Sequence, residues 1–243
     1  MPALLVHGVP DTAHVWHRLV PRLGRDDVVT LALPGFGTAV ASDFDPTKDA
    51  YAAWLVDRIA AYPAPVDLMG HDWGALLVLR AAMLRPDRVR SWAVGGAPLD
   101  AEYVWHRAAQ LWQTPEVGEQ VMERTTPAAL EQALTATGVP PEDARMAGAH
   151  CDDTMKRCIL RLYRSAIKVG EEWGADLARL PTPGLVLWGE RDPYAEPKWG
   201  ERLGQRTGAR VVVFPGCSHW WPLERPEAVA AELRALWGGL GAR

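Results

Sequence analysis

Three side chains in this sequence can carry out covalent chemistry together: Asp72, Asp192 and His219. Asp72 stands at the centre of Gly70-His71-Asp72-Trp73-Gly74, between the apolar run Val66-Asp67-Leu68-Met69 and an apolar helical pattern that starts at once. A strand-to-helix turn of this form holds one side chain up at the carboxyl edge of a sheet. Its glycines sit where the strand and helix backbones approach too closely for a Cβ. A carboxylate presented in this way can attack an sp3 carbon that carries a leaving group, giving an alkyl ester on the protein. An imidazole oriented by a second carboxylate can then deprotonate the water that cleaves the ester at its carbonyl carbon. His219, in Gly216-Cys217-Ser218-His219, supplies that base, and Asp192, in Arg191-Asp192-Pro193, supplies its partner. The oxyanion would form on Asp72 itself and needs fixed donors. The backbone N–H of Trp73 and that of Val9, in the turn His7-Gly8-Val9-Pro10, are placed to serve.

These residues need a scaffold that brings distant turns to one edge. Apolar runs at 3–6, 28–32, 66–71, 91–95, 184–188 and 209–214 read as six strands. Helical spacing covers about 13–23, 47–62, 74–85, 197–206 and 226–237. Strands alternating with helices imply an α/β fold with a parallel sheet and right-handed crossovers. Asp72, Asp192 and His219 each follow a strand, at the edge where open α/β sheets place their sites. The interval 98–180 breaks the rhythm, with helical patterns near 101–113, 116–124, 127–136, 141–149 and 153–172 and no convincing strand. The domain reading is therefore a core of 1–97 and 181–243 with a helical cap of 98–180 inserted over the carboxyl edge. Residues 238–243 read as a frayed tail.

Composition narrows the class. The chain has 243 residues, a net charge of −4 and 48% hydrophobic residues, which suits one soluble α/β domain. Mixed charge argues against nucleic acid and against an anionic membrane surface as partners. No run approaches a membrane span and no signal peptide is apparent, so the expected location is cytoplasmic. Three cysteines without a Cys-x-x-Cys pair suggest neither a disulfide framework nor a zinc site, and no metal or organic cofactor is expected.

The order nucleophile, acid, base, together with the elbow and the His-Gly-x-Pro turn, resembles the α/β-hydrolase family over nearly the whole chain. His7-Gly8-Val9-Pro10 and Gly70-His71-Asp72-Trp73-Gly74 are most similar to its epoxide hydrolase and haloalkane dehalogenase branch. The resemblance implies an oxyanion hole at Val9 and Trp73 and a cis Val9–Pro10 bond. It also implies that Trp73 can hold a departing halide, although Val9 replaces an Asn that often provides a second halide ligand. Leu160-Arg161-Leu162-Tyr163-Arg164 resembles the cap segment that supplies an epoxide hydrolase with a proton-donating tyrosine, here Tyr163. A second cap donor is not clear, and Trp105 or His106 could complete the pair. His71, beside the nucleophile, reads as structural.

The family usually has two further strands before the His-Gly turn. The expected sheet is therefore six strands in the order 2-1-3-4-5-6, with an edge at 28–32 that invites dimerisation. Monomer and homodimer both stay open. The implied activity is epoxide hydrolysis through an Asp72 ester, with hydrolytic dehalogenation as the alternative. A ligand-binding or receptor protein on the same fold is the alternative of another class. Trp105, Trp112, Tyr163, Trp173, Trp220 and Trp221 suggest an apolar, aromatic or polycyclic small-molecule substrate, with Trp105, His106 and Trp220 as its contacts.

Overall fold

The computed structural model describes residues 1–181 and 183–239. Its strands are β1 (Ala3–Val6), β2 (Val28–Leu31), β3 (Val66–His71), β4 (Val89–Gly95), β5 (Gly184–Gly189) and β6 (Arg210–Phe214). They form one parallel sheet in the order β2-β1-β3-β4-β5-β6, as expected, with β2 at an edge. β1, β3 and β5 are buried along their whole length, which their unbroken apolar runs require, while β2 is partly exposed.

Successive residues of each strand serve opposite faces. Leu4, Val6, Leu68, Val186 and Trp188 pack into one core, and Ala3, Leu5, Met69, Leu185 and Leu187 into the other. The first core is closed by α1 (Lys48–Ala60), α2 (Trp73–Leu84) and α9 (Lys198–Thr207). The Thr47 hydroxyl caps α1 by accepting from the Ala50 N–H, and the stripe Tyr51, Ala52, Leu55 and Ile59 is buried. α2 is apolar almost all round because it lies between the sheet and α1. The second core is closed by α10 (Trp221–Glu224) and α11 (Pro226–Gly238) and by the 3-10 turns Ala13–Trp16 and Val20–Arg22. Those turns replace the helix expected over 13–23. Pro21 lacks the N–H that would bond to the His17 carbonyl, so the helix cannot continue through it.

Between β4 and β5 the chain forms α3 (Arg107–Gln113), α4 (Val117–Arg124), α5 (Pro127–Ala136), α6 (Pro141–Ala149), α7 (Asp153–Arg164) and α8 (Val169–Gly174). No strand occurs there among the described residues. Two expected boundaries move. Residues 101–106 are not helical: the Asp100 carboxylate accepts from the Glu102 N–H in a local turn, and His106 caps α3. The expected helix over 153–172 breaks at Ser165, whose hydroxyl donates back to the Leu162 carbonyl and accepts from the Lys48 N–H. Gly238 belongs to α11 rather than to a tail, and residues 240–243 of the expected tail lie outside the described residues. No helix among the described residues is long and apolar enough to cross a membrane.

Candidate active site

β1, β3, β5 and β6 end on one edge of the sheet, and the loops that follow them carry Val9, Asp72, Asp192 and His219. Asp72 joins β3 to α2 with φ 53° and ψ −126°, a conformation that costs a non-glycine residue on the order of 1–3 kcal/mol. Its N–H donates to the Gly95 carbonyl at 2.9 Å, which ties the turn to the end of β4. A Cβ on Gly70 would lie 2.2 Å from the Gly74 carbonyl oxygen, and one on Gly74 would lie 2.0 Å from that of Val6. The two glycines of the motif are therefore required by backbone crowding on both sides of Asp72.

The carboxylate oxygens of Asp72 face different partners. Oδ1 accepts from the Val9 N–H at 2.7 Å, and the Trp73 N–H also stabilises the charged form. Oδ2 lies 3.7 Å from His219 Nε2. His219 Nδ1 is 2.7 Å from Asp192 Oδ2, and Asp192 Oδ1 accepts from the N–H groups of Tyr194 (2.8 Å) and Ala195 (3.1 Å). The bond to Asp192 thus holds the Nδ1–H tautomer and leaves Nε2 directed to Asp72. The Val9–Pro10 bond is cis, as the resemblance implied.

Two further histidines support this arrangement. His71 Nε2 donates to the His219 carbonyl at 2.9 Å, and burial together with the nearby His219 keeps His71 neutral, its pKa well below the ordinary value. His7 Nε2 accepts from the Leu33 N–H at 2.9 Å, and its Nδ1–H donates to the Gly8 carbonyl at 2.8 Å. That pair of bonds fixes the loop that carries Val9. A Cβ on Gly8 would stand 2.4 Å from Asp72 Cβ and Oδ1, so the loop reaches the nucleophile only as glycine.

Burial pushes the Asp72 carboxyl up to about 6, against the opposing pull of His219 and the Val9 and Trp73 N–H groups. Burial alone would lower His219, but the charge and hydrogen bond of Asp192 and the charge of Asp72 leave it above its ordinary value. Near neutral pH the free protein therefore holds an ionised Asp72 beside an imidazole that readily carries a proton.

A cavity of about 120 Å3 opens onto Asp72 and His219. Its wall includes Pro10, Trp112 and Trp220, with Leu130, Ala133 and Leu134 from α5 above. An apolar cavity of about 150 Å3 holds one benzene, so the polycyclic ligand suggested by the aromatic residues does not fit this conformation. Tyr163, on α7, lines the cavity inside a box of Trp73, Trp105 and Trp112 rings. Burial and the Asp72 charge hold its phenol well above the ordinary value, so it stays a neutral donor. Trp73 Nε1 is buried and makes no hydrogen bond of good geometry; the Tyr163 hydroxyl is near enough to feel its N–H without being bound by it.

The other expected donors differ in what they offer. His106 lines the cavity, and its Nδ1 accepts from the Ala109 N–H, which leaves a proton on Nε2. Burial and His219 lower it to about 4, so it is neutral. Trp105 does not line the cavity: it stacks behind Trp73 at 5.8 Å, and its N–H is committed to the Ala166 carbonyl. Trp220 lines the wall with its ring against His219, and its N–H donates to the Thr137 hydroxyl. Trp173 is packed away from the site, bonded to Asp49. Sequence reasoning missed Tyr194, whose ring packs on both His219 and His106 at 4.9 Å and lines the cavity. Its position two residues after Asp192, in the same loop, was the available signal.

Known proteins agree with this architecture. A family model described as "Alpha/beta hydrolase family" matches residues 3–232. A pimeloyl-(acyl-carrier protein) methyl ester esterase of Neisseria meningitidis serogroup B / serotype 15 (strain H44/76) is 30% identical, with 95% of this chain and 90% of that protein covered. Epoxide hydrolase 3 of Xenopus tropicalis is 26% identical, covering 95% of this chain and 70% of that protein. Among solved structures, a loop variant of a haloalkane dehalogenase from Bradyrhizobium elkanii superposes with a TM-score of 0.80 at 19% identity, covering 99% of this chain and 90% of the other.

Proposed function

Since the chain belongs to the alpha/beta hydrolase family, we propose that it hydrolyses a small apolar epoxide through a covalent ester on Asp72. The observation that carries this reading is the division of labour between the Asp72 oxygens. Oδ1 accepts from the Val9 N–H, and Oδ2 faces His219. Oδ2 attacks a ring carbon, the C–O bond breaks, and the ring oxygen takes a proton from Tyr163, with Tyr194 or His106 Nε2–H as the second donor. His219 then removes a proton from water, which attacks the Asp72 carbonyl carbon. The resulting charge collects on Oδ1, against the Val9 and Trp73 N–H groups. Collapse expels the second oxygen of the product, which takes the remaining water proton to complete the diol. His219 returns its proton to the Tyr163 phenolate, and the Asp72 carboxylate is restored. A cavity smaller than one benzene needs favours short aliphatic epoxides.

A second reading is favoured by one observation, the unpartnered buried N–H of Trp73, which could receive a halide. Trp105 offers no further N–H to that site, because Ala166 already takes it. The ester hydrolase among the relatives raises ester cleavage, but Asp72 has no hydroxyl to acylate. One experiment separates these. His219→Gln protein is incubated with 1,2-epoxybutane, with 1-bromobutane and with a short methyl ester, and the Asp72 peptide is weighed by mass spectrometry. The proposal expects an adduct of the full epoxide mass, and diol from the wild-type enzyme. An alkyl adduct with bromide release, and none from the epoxide, would favour dehalogenation. Turnover of the ester alone would reject Asp72 alkylation.

A further inference from the structure

On the face of the core away from Tyr163, three chemically matched groups meet that the proposed reaction does not use. His14 and His17 lie one 3-10 turn apart after the Val9 loop, and Asp143 reaches them from α6. His14 Nε2 is 3.3 Å from Asp143 Oδ1, and His17 Nε2 is 3.5 Å from the same oxygen. Ligand atoms about 2.0–2.1 Å from a tetrahedral metal ion are separated by about 1.6 times that distance, roughly 3.3–3.4 Å. Both measured separations are close to such an edge.

The hydrogen bonding points to the same occupant. Asp143 is 3% exposed, and neither its Oδ1 nor the buried His14 Nε2 makes a hydrogen bond of good geometry, although the two face each other at 3.3 Å. Buried polar atoms rarely stay unpaired. Arg18 holds the other oxygen, Oδ2, at 2.5 Å, which leaves Oδ1 available as a single-atom ligand. His17 Nδ1 lies 3.0 Å from the His14 carbonyl, and donating to it puts the lone pair on Nε2, facing Asp143. Burial and the nearby His17 keep the His14 pKa below its ordinary value, which favours a free lone pair on that ring.

We propose that His14, His17 and Asp143 bind a divalent transition-metal ion of the zinc type, which fastens α6 to the core. Two imidazole nitrogens and one carboxylate oxygen suit Zn2+, Co2+ or Ni2+ and do not suit Mg2+ or Ca2+, which prefer all-oxygen sets. The rings stack with centroids 4.1 Å apart, so sharing an ion requires a tilt of His17, whose side chain is 40% exposed and has room for it. Arg18 opposes the cation, so the expected affinity is micromolar rather than that of a closed structural site. α6 packs against α5, and α5 roofs the cavity with Leu130, Ala133 and Leu134. An ion here would restrain the roof without touching Asp72.

The test is titration of the metal-stripped full-length protein with Co2+ and Zn2+, read by visible absorption and calorimetry. One equivalent with a four- or five-coordinate cobalt spectrum is expected, together with slower hydrogen exchange in α5 and α6. His17→Gln, on the exposed rim, and Asp143→Asn should each weaken binding at least tenfold, and His219→Gln should leave it unchanged. Wild-type affinity in the His17→Gln and Asp143→Asn proteins, loss of binding in His219→Gln, or no binding at millimolar Zn2+ would each overturn the proposal.

Discussion

His219 Nε2 stands 3.7 Å from Asp72 Oδ2, and each of the two groups alters the proton affinity of the other. Alkylation of Oδ2 removes the Asp72 charge and with it one of the influences that hold His219 above its ordinary value. The imidazole therefore becomes a readier base at the stage that needs one. Ester formation, by contrast, requires ionised Asp72. Its rate in a stopped-flow burst should fall about tenfold per pH unit below about 6. The hydrolysis step should show a lower midpoint than His219 has in the free protein by NMR. A burst rate that stays level well below pH 6 would point to a nucleophile other than Asp72.

The raised Asp72 pKa is also a statement about stability. A carboxyl at about 6 when folded and about 3.9 when unfolded binds its proton more tightly in the native state. The native protein is therefore penalised above pH 6, and the penalty vanishes below about pH 4. Two pKa units correspond to on the order of 3 kcal/mol. Asp72→Asn should accordingly raise the thermal midpoint at pH 8 by several degrees and bring little gain at pH 4. An equal gain at both pH values would assign the effect to packing instead of charge.

Much of this site was legible because it hangs on strand ends. Asp72 and Asp192 follow apolar runs that form fully buried strands, and His219 follows the more exposed β6; a parallel sheet brings all three loops to one edge. The sheet order followed from the same pattern. The covering helices were harder, because their contacts join residues far apart in sequence. Whether the Trp105 N–H is free depends on the Ala166 carbonyl, 61 residues later, and no local spacing encodes that bond. Asp143 meets His14 and His17 across a gap about twice as long. The break at Ser165 depends on the Lys48 N–H from α1, and so did not appear in the helical period of 153–172.

In the proposed reaction Tyr163 protonates the leaving alkoxide, a role supported by its neutral phenol and its place in the cavity wall beside Trp73. Tyr163→Phe keeps the ring packing against Trp73 and Trp112 and removes only the hydroxyl. General acid catalysis contributes about 10²–10⁴-fold, so kcat/KM for an epoxide should fall within that range. Folding, followed by circular dichroism, should be little changed. An alkyl bromide, whose leaving group needs no proton, should react with the variant as it does with the wild type. A Tyr163→Phe enzyme that opens epoxides at full rate would transfer the acid role to Tyr194 or His106.

Gly8 provides the most local test of the oxyanion donors. Its missing Cβ is the space occupied by Asp72 Cβ and Oδ1, each 2.4 Å from where the added carbon would stand. Gly8→Ala must push the Val9 loop away from Asp72 and stretch the 2.7 Å bond from the Val9 N–H to Oδ1. Overpacking of this kind costs about 1–3 kcal/mol of stability, and losing one oxyanion donor costs about 10²–10³ in rate. The loss should fall on breakdown of the ester, where charge develops on Oδ1, more than on its formation. Gly8→Ala protein should therefore accumulate the Asp72 adduct during steady-state turnover, visible by mass spectrometry. Equal slowing of both steps, with no adduct, would mean that the Val9 N–H orients the nucleophile and does not stabilise the oxyanion.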